Sequence, residues 1–515
     1  MALMRSIATV GGFTMLSRIL GFVRDILVAA ILGAGPVADA FFIAFKFPNV
    51  FRRLFAEGAF NAAFVPLFAG KLEEENGAKV AKAFGEQAFA FLFWVLLALL
   101  IVMELSMPWA MRLFAPGFMN DPAKFDLAVH LTRITFPYLL FISLVSLMAG
   151  VLNSLNKFAA AAATPVLLNI CLIGAILGLT PYLETPGHAL AWGLFGAGII
   201  QFIWMFWNAV KNKMGLKLGW PRWNADVKTM VMRIIPGAVG AGIYQINMLV
   251  DMIIATLLPT GSISFLFYAD RINQLPLGVV GVAVGTALLP MMSRQLRGGD
   301  ETGAMNSLNR ALEFSLLLTL PAAVAYMVIA DPIVSILFER KEFVASDTQA
   351  TAAALFVYAL GLPAYVLNKA LTPGFFARGN TKTPVKIAAV CMVVNIAFNL
   401  LLMGPFLHVG LAMATVISAW VNTLLLAIFL RKNGYLTLDS RLKNRAGRIV
   451  GACLVMAAAL YGLTLLLQAE LVGSQLLRIL SLCALVGVGL LSYFASVFLF
   501  GAARWSEVKS MMRRQ

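Results

Sequence analysis

Fourteen mostly apolar stretches of about 20 residues or more follow one another along this chain, each long enough to cross the hydrocarbon of a bilayer as a helix. Breaks at charged residues, Pro and Gly put them at 7–32, 37–70, 83–107, 125–152, 164–181, 189–210, 229–258, 262–293, 309–337, 348–376, 385–404, 410–430, 447–468 and 475–501. Of the 515 residues, 61% are hydrophobic and only 12% charged. Soluble domains average about 25% charged residues, so half that share cannot cover a soluble surface. A disordered tail protein and a disulfide scaffold are excluded on the same grounds. The four cysteines, Cys171, Cys391, Cys453 and Cys483, all sit in apolar runs without a CxxC pair. They suggest neither a disulfide framework nor a metal site. The expected fold is therefore an all-α polytopic membrane protein of 14 transmembrane helices. The first apolar run is interrupted by Ser17, Arg18, Arg24 and Asp25, and reads as a retained membrane helix rather than a cleaved leader. The second and eighth spans carry Pro48 and Pro66, and Pro276 and Pro290, so kinks or tilt are expected there.

The net charge of +16 has two readings, nucleic acid or membrane topology. Position decides between them. With an even number of spans both termini share a side, and 26 of the 40 basic residues fall in the segments on that side or within two residues of them. The opposite loops hold four, Arg112, Lys124, Arg340 and Lys341, and the remaining ten lie within spans. The positive-inside rule then puts both termini in the cytoplasm and removes the need for a nucleic-acid partner.

A weak internal repeat divides the chain. Thr164-Pro165-Val166 recurs as Thr383-Pro384-Val385, offset by 219 residues, and Lys211-Asn212 recurs as Lys432-Asn433, offset by 221. Leu190-Ala191 and Leu411-Ala412 are also 221 apart. Asp25 and Asp251 lie 226 apart in the first and seventh spans. The near-constant offset predicts a duplication of six spans inserted in the same orientation, a transporter architecture with substrate handled between the halves. The expected domains are an N-lobe over 1–215, a C-lobe over 216–435, and a C-terminal pair of helices with a tail over 436–515.

Charges inside spans cost roughly 3 kcal/mol or more at the bilayer centre, so they face protein or a watery cavity. Arg18 lies about 12 residues past the first helix start, roughly 18 Å deep at 1.5 Å per residue, and Arg24 lies deeper, with Gly21 between them. A structural reading pairs one of the two with Asp25 and lets the other snorkel. In the second span Asp39, Lys46, Arg53 and Glu57 share one helical face, with Arg52 beside that stripe and Asn49 near it. A structural ion ladder is one reading of the stripe, since Arg53 and Glu57 are spaced i,i+4. Yet the first two spans hold five cations against three acids, and Arg271 in the eighth span can add another. A surplus of guanidinium groups suits phosphate, through charge-assisted and often bidentate bonds. The expected substrate is an anion carrying phosphate.

A second set is cation-like: Asp251 in the seventh span, Asn395 and Asn399 in the eleventh, and Thr415 in the twelfth. One carboxylate with amide and hydroxyl oxygens can hold a small hard cation. Interhelical hydrogen bonding explains the same residues equally well. The pairs Arg340/Lys341 and Glu339/Glu342 read as a solvated loop, and His188 and His408 as loop residues. No P-loop, HExxH or GxSxG motif is present.

The run Ser17-Arg18-Ile19-Leu20-Gly21-Phe22-Val23-Arg24-Asp25 resembles the opening signature of the MurJ (MviN) lipid II flippases. So do Ala38-Asp39-Ala40-Phe41-Phe42, Lys46-Phe47-Pro48-Asn49 and Arg52-Arg53-Leu54-Phe55-Ala56-Glu57-Gly58-Ala59-Phe60. Tyr268-Ala269-Asp270-Arg271 and Thr383-Pro384-Val385-Lys386 continue the likeness. The resemblance implies the fold of the MOP exporter superfamily, two six-helix lobes plus two C-terminal helices that form a lipid-tail groove. It implies lipid II as substrate, an undecaprenyl pyrophosphate bearing the peptidoglycan disaccharide-pentapeptide, and the bacterial inner membrane as location. It implies cavity arginines at Arg18, Arg24, Arg52 and Arg271, with Asp39 and Glu57 also involved. It further implies coupling to sodium or to the membrane potential, with sodium positions at Asp251, Asn395, Asn399 and Thr415. Asn399 stands where an acid can occupy the position, which makes that site less negative. The partners implied are lipid II, membrane lipids and, as neighbours, cell-wall synthases.

Three other functions fit parts of the pattern. A flippase for another polyprenyl-linked oligosaccharide, of the O-antigen type, shares the phosphate chemistry. A MATE-like cation exporter would want an acid-rich site. An intramembrane enzyme acting on the lipid carrier would want a large outer loop or an acid and His cluster at the interface, and the outer loops here are short and poor in both.

Overall fold

The computed structural model describes residues 2–55 and 59–503, without the side chains of 2–8, 54, 55, 59, 236–241, 243, 244, 282 and 283. It is all-helical: among the described residues no β-strand forms, and ten helices are long and apolar enough to cross a membrane. The chain packs into two compact units, one of residues 1–264 with 340–343, the other of 265–339 with 344–515.

The first unit contains α1 (Ala2–Leu32), α2 (Pro36–Phe55), α3 (Ala59–Leu72), α4 (Gly77–Phe114), α5 (Pro122–Thr135), α6 (Tyr138–Ser154), α7 (Phe158–Gly178), α8 (Pro186–Lys211) and α9 (Ala225–Thr256). The seventh expected span, α9, thus packs with the first six, against α2, α3 and α4. The core is aromatic. Phe47 of α2 meets Phe114 at 4.9 Å and Phe136 at 5.6 Å between ring centroids. Phe64 of α3 stacks on Phe84 of α4 at 5.5 Å.

Pro48 inside α2 removes the backbone N–H that would reach the Ala44 carbonyl, and an unpaired carbonyl is costly in a bilayer. The Thr135 hydroxyl of α5 donates to that carbonyl at 2.8 Å. A side chain from a neighbouring helix therefore makes the proline tolerable.

A one-turn helix over Pro116–Asn120 seats on the end of α9, where Gly117 N–H donates to Thr256 Oγ1 at 3.3 Å. A Cβ on Gly117 would lie 2.0 Å from the Thr256 carbonyl oxygen, backbone against backbone. Gly117→Ala is therefore expected to cost about 1–3 kcal/mol, as overpacking does. Thermal unfolding of the purified protein in detergent checks this: a lowered Tm is the expected outcome, and an unchanged one contradicts it.

The second unit contains α10 (Ser262–Pro276, beginning in the first unit), α11 (Val282–Arg297), α12 (Glu301–Val328), α13 (Ala330–Phe338), α14 (Ala345–Phe376), α15 (Lys382–Lys432), α16 (Ser440–Leu466), α17 (Gln468–Leu471) and α18 (Gln475–Leu499). A π-helical turn, Leu277–Gly281, follows Pro276 between α10 and α11, so the expected bend of the eighth span falls there. At 51 residues α15 would be roughly 77 Å long if straight, more than twice the hydrocarbon thickness. It breaks at Leu407 (φ 50°, ψ −130°), two residues after Pro405. Gly410 makes the return possible, since a Cβ there would lie 2.3 Å from the Leu402 carbonyl oxygen. The core joins α11, α12, α14 and α15 through Met292, Leu308, Phe375 and Leu430, all fully buried. α16 is tied to α12 by charge: Arg310, Arg441 and Arg445 surround Glu313, and Arg310 also bonds Asp439, the N-cap of α16.

Three sequence expectations about loops are corrected. Lys124 is no solvated loop residue: it lies in the first turn of α5 and is 5% exposed. The 339–342 segment is exposed at Lys341 and Glu342, as expected, but it is also anchored. Glu342 N–H donates to the Ala30 carbonyl at 3.2 Å, and Glu339 receives Thr348 at 2.8 Å and Arg478 at 3.6 Å. His188 and His408 lie in helices, the first turn of α8 and α15 just past its break.

Candidate functional site

α1 runs unbroken through Gly21, so the glycine serves close approach rather than a bend. Asn169 of α7 fills the space: its Nδ2 lies 3.5 Å from where a Gly21 Cβ would be and donates to the Ser17 carbonyl at 2.9 Å. Its Oδ1 accepts Arg24 Nη1 at 2.9 Å. Arg24 also holds Asp25 Oδ1, with Nε at 3.0 Å and Nη2 at 2.6 Å. Both residues of this pair are buried, so Arg24 is held in place and its charge is offset by Asp25. Arg18, six residues back, is exposed.

On α2, Asn49 donates from Nδ2 to the Phe45 carbonyl at 2.7 Å and accepts Arg52 Nε at 3.0 Å. Asn49 thus orients Arg52. Arg53 points elsewhere, with Nη1 3.4 Å from Met248 Sδ of α9. Lys46, Arg52 and Arg53 are half-buried. Glu57, the last member of the expected stripe, lies outside the described residues.

Asp39 has a different role from the stripe expected of it. It is 1% exposed, and its carboxylate accepts Lys124 Nζ at 2.9 Å, Gly261 N–H at 2.8 Å, Ser264 N–H at 3.1 Å and Ser264 Oγ at 2.7 Å. Three of those four donors belong to the first turn of α10 and the residue before it. A carboxylate at a helix N-terminus satisfies orphan N–H groups and meets the positive end of the helix dipole. Asp39 therefore caps α10 in trans, and Lys124, which also reaches Thr260 Oγ1 at 3.2 Å and sits 4.3 Å from the Phe118 ring centroid, balances its charge.

Charge counting follows from these pairs. Residues 9–53 hold five cations, Arg18, Arg24, Lys46, Arg52 and Arg53, against two acids, Asp25 and Asp39. Arg24 offsets Asp25, and Lys124 offsets Asp39. With Glu57 counted, the formal balance of residues 9–57 is positive by two, five cations against three acids. In the second unit Arg271 lies on α10 with its guanidinium 4.7 Å from the Phe267 ring centroid. The Tyr326 hydroxyl of α12 fixes the neighbouring backbone by donating to the Ile272 carbonyl at 3.1 Å.

A sequence model described as "MurJ: Lipid II flippase MurJ" matches residues 28–482. The chain belongs to the MurJ lipid II flippase family. It is 47% identical over 523 residues to the probable lipid II flippase MurJ of Rhizobium meliloti (strain 1021), covering 100% of this chain and 97% of the relative. Among solved structures it is similar to a lipid II flippase MurJ in an inward closed conformation, with TM-score 0.79 and 27% identity over 95% of this chain and 98% of the other. A multidrug resistance MATE family transporter of the MOP superfamily shares the fold, at TM-score 0.67 and 16% identity, over 81% of this chain and 94% of that one.

The cation set that the MurJ resemblance implied divides between the units. Asp251 is in the first, where Asn247 Nδ2 donates to it at 3.1 Å. Asn395, Asn399 and Thr415 are in the second; Asn399 Nδ2 donates to Asn395 Oδ1 at 3.0 Å, and the Thr415 hydroxyl to the Leu411 carbonyl at 3.0 Å. The second-unit members include no carboxylate, which is a poor match to a dedicated cation cage.

Sequence reasoning missed two residues of this MurJ chain. Asn169 carries a visible signal, a lone amide in the apolar run 164–181. Lys124 carries a misleading one, because a lysine two residues after Pro122 at a span end reads as solvated.

Proposed function

We propose that this protein moves lipid II from the cytoplasmic to the periplasmic leaflet of the bacterial inner membrane, by alternating access and without covalent chemistry. The observation that carries the reading is the formal surplus of cations at residues 9–53, five against two acids, with Arg271 a further cation on α10 of the second unit. A pyrophosphate that leaves water for hydrocarbon loses its hydration at prohibitive cost unless replacement hydrogen bonds are supplied. Arg18, Arg52 and Arg271 would supply charge-assisted bonds to it, with Asn49 fixing the angle of Arg52. Arg24, held by Asp25 and Asn169, keeps N–H groups beyond those pairs and would contribute a positioned donor rather than a bare charge. Lys46 and Arg53 add to the positive field. Asp39 would act on geometry instead: by capping α10 it fixes the start of the helix that carries Arg271.

Fourteen crossings are part of the proposal. They follow if α15 crosses twice about its break at Leu407 and if α1, α2 with α3, and α9 each cross once beside the ten long apolar helices. The charge asymmetry then puts both termini in the cytoplasm. The prenyl tail would stay in lipid along α16 and α18, which pack on each other. A MATE-like cation exporter would need an acid-rich site, against five cations and two acids at residues 9–53.

Depletion of the protein in its own cell tests the proposal. Lipid II is expected to accumulate on the cytoplasmic side of the inner membrane. An unchanged distribution between leaflets would overturn it.

A further inference from the structure

Lys369 is an intramembrane cation with no part in the scheme above. It lies within the membrane-spanning segment Ala345–Phe376, and it is exposed while Val366, Ala370 and Leu371 around it are buried. An ammonium on a spanning helix is costly against lipid tails, so it faces water or polar groups. It lies against Gly281, the last residue of the π-helical turn. A Cβ on Gly281 would lie 2.9 Å from Lys369 Cδ and 3.2 Å from Nζ. The lysine therefore lies across the turn, in the room that a missing side chain leaves. Single π turns recur at functional sites, and this one interrupts the element that carries Arg271. Ten residues separate Arg271 from Gly281, roughly 15 Å at 1.5 Å per residue. The second unit thus presents two cations in line, Arg271 on α10 and Lys369 further toward the end where Arg294 and Arg297 lie.

We propose that Lys369 binds a carboxylate of the peptide stem of lipid II. The proposal rests on the flippase reading, with the pyrophosphate at Arg271. About three helical turns of the element separate the two cations, so a headgroup whose pyrophosphate meets Arg271 brings a different part of itself toward Lys369. Beyond the pyrophosphate, the anionic groups of a disaccharide-pentapeptide are the carboxylates of its peptide. Lysine fits a carboxylate on a flexible stem, because its three donors rotate and its charge needs no bidentate alignment.

The test measures binding to the purified full-length protein of two ligands, lipid II and an analogue whose stem carboxylates are converted to carboxamides. Wild-type protein is expected to hold the analogue about tenfold more weakly, the value of one hydrogen bond to a charged group. Lys369→Ala is expected to lower lipid II affinity by about the same factor and to leave the analogue unaffected. Gly281→Ala, which keeps the lysine but nudges its flexible end aside, is expected to show a smaller loss with the same selectivity. Arg271→Ala is expected to weaken both ligands alike. Equal loss on both ligands from Lys369→Ala, or no loss on either, overturns the proposal. Wild-type protein that holds the two ligands equally overturns the role of Lys369 alone, and wild-type protein that holds neither overturns the flippase reading and this proposal with it.

Discussion

Arg271→Ala is expected to cut lipid II translocation by at least about a hundredfold while the protein still inserts and folds. A guanidinium that meets a phosphate makes two parallel charge-assisted bonds, each worth about 1.5–3 kcal/mol. Losing both removes about 3–6 kcal/mol of stabilisation from the substrate at its most desolvated point. The guanidinium's stacking on Phe267 at 4.7 Å contributes about 0.5–2 kcal/mol to the fold. Arg271→Lys is expected to restore only part of the activity, because an ammonium is a point charge without the bidentate fork. Translocation by the variants, set against their amounts in the membrane fraction, gives the measurement. Near wild-type transport by Arg271→Ala would remove Arg271 from the site. Arg24 is a less clean probe. Its removal to Ala would break the buried ion pair with Asp25, 4% exposed, and would perturb structure as well as transport.

Asp39→Asn is expected to destabilise the first unit by about 3–5 kcal/mol, the usual cost of breaking a buried ion pair by removing one partner. The amide can still accept from Gly261 and Ser264, but it leaves the Lys124 ammonium, 5% exposed, without its counter-charge. Lys124→Met in the same chain is expected to recover much of the loss, since the uncompensated charge is then gone. Unfolding of the single and double variants in detergent gives the coupling between the two residues. Additive losses would mean that the pair does not act as a unit. Because Asp39 also caps α10, the single variant is expected to lose transport out of proportion to its stability.

Much of this molecule could be read from the order of its residues. Apolar run lengths marked the helices, and Pro276 and Pro290 announced an irregular eighth span. The charge surplus on α1 and α2 was visible as soon as Asp25 and Asp39 were counted against their neighbours. Contacts made across long stretches of chain were hidden. Asp39 and Lys124 are 85 residues apart, and Asp39 and Ser264 are 225 apart. No local period marks such partners, so Asp39 read as a rung on the α2 stripe when it is a cap for another helix. Nothing in the sequence marks Thr135, in the interior of the fourth span, as the donor that makes Pro48 tolerable. Arg24 is intermediate: its neighbour Asp25 was an evident partner, but Asn169, 145 residues away, was needed to fix its orientation. The packing of α9 with the first six spans could not come from a repeat that counts spans without saying which helices touch.

The most direct measurement places the purified protein in vesicles that carry lipid II on both leaflets and follows how much of it an impermeant enzyme acting on the headgroup can reach from outside. Wild-type protein is expected to bring the inner-leaflet pool within reach, while Arg271→Ala vesicles behave like protein-free ones. Wild-type vesicles that leave the inner pool protected, or a lipid stripped of its pyrophosphate that crosses as readily as lipid II, would contradict a cationic path for pyrophosphate.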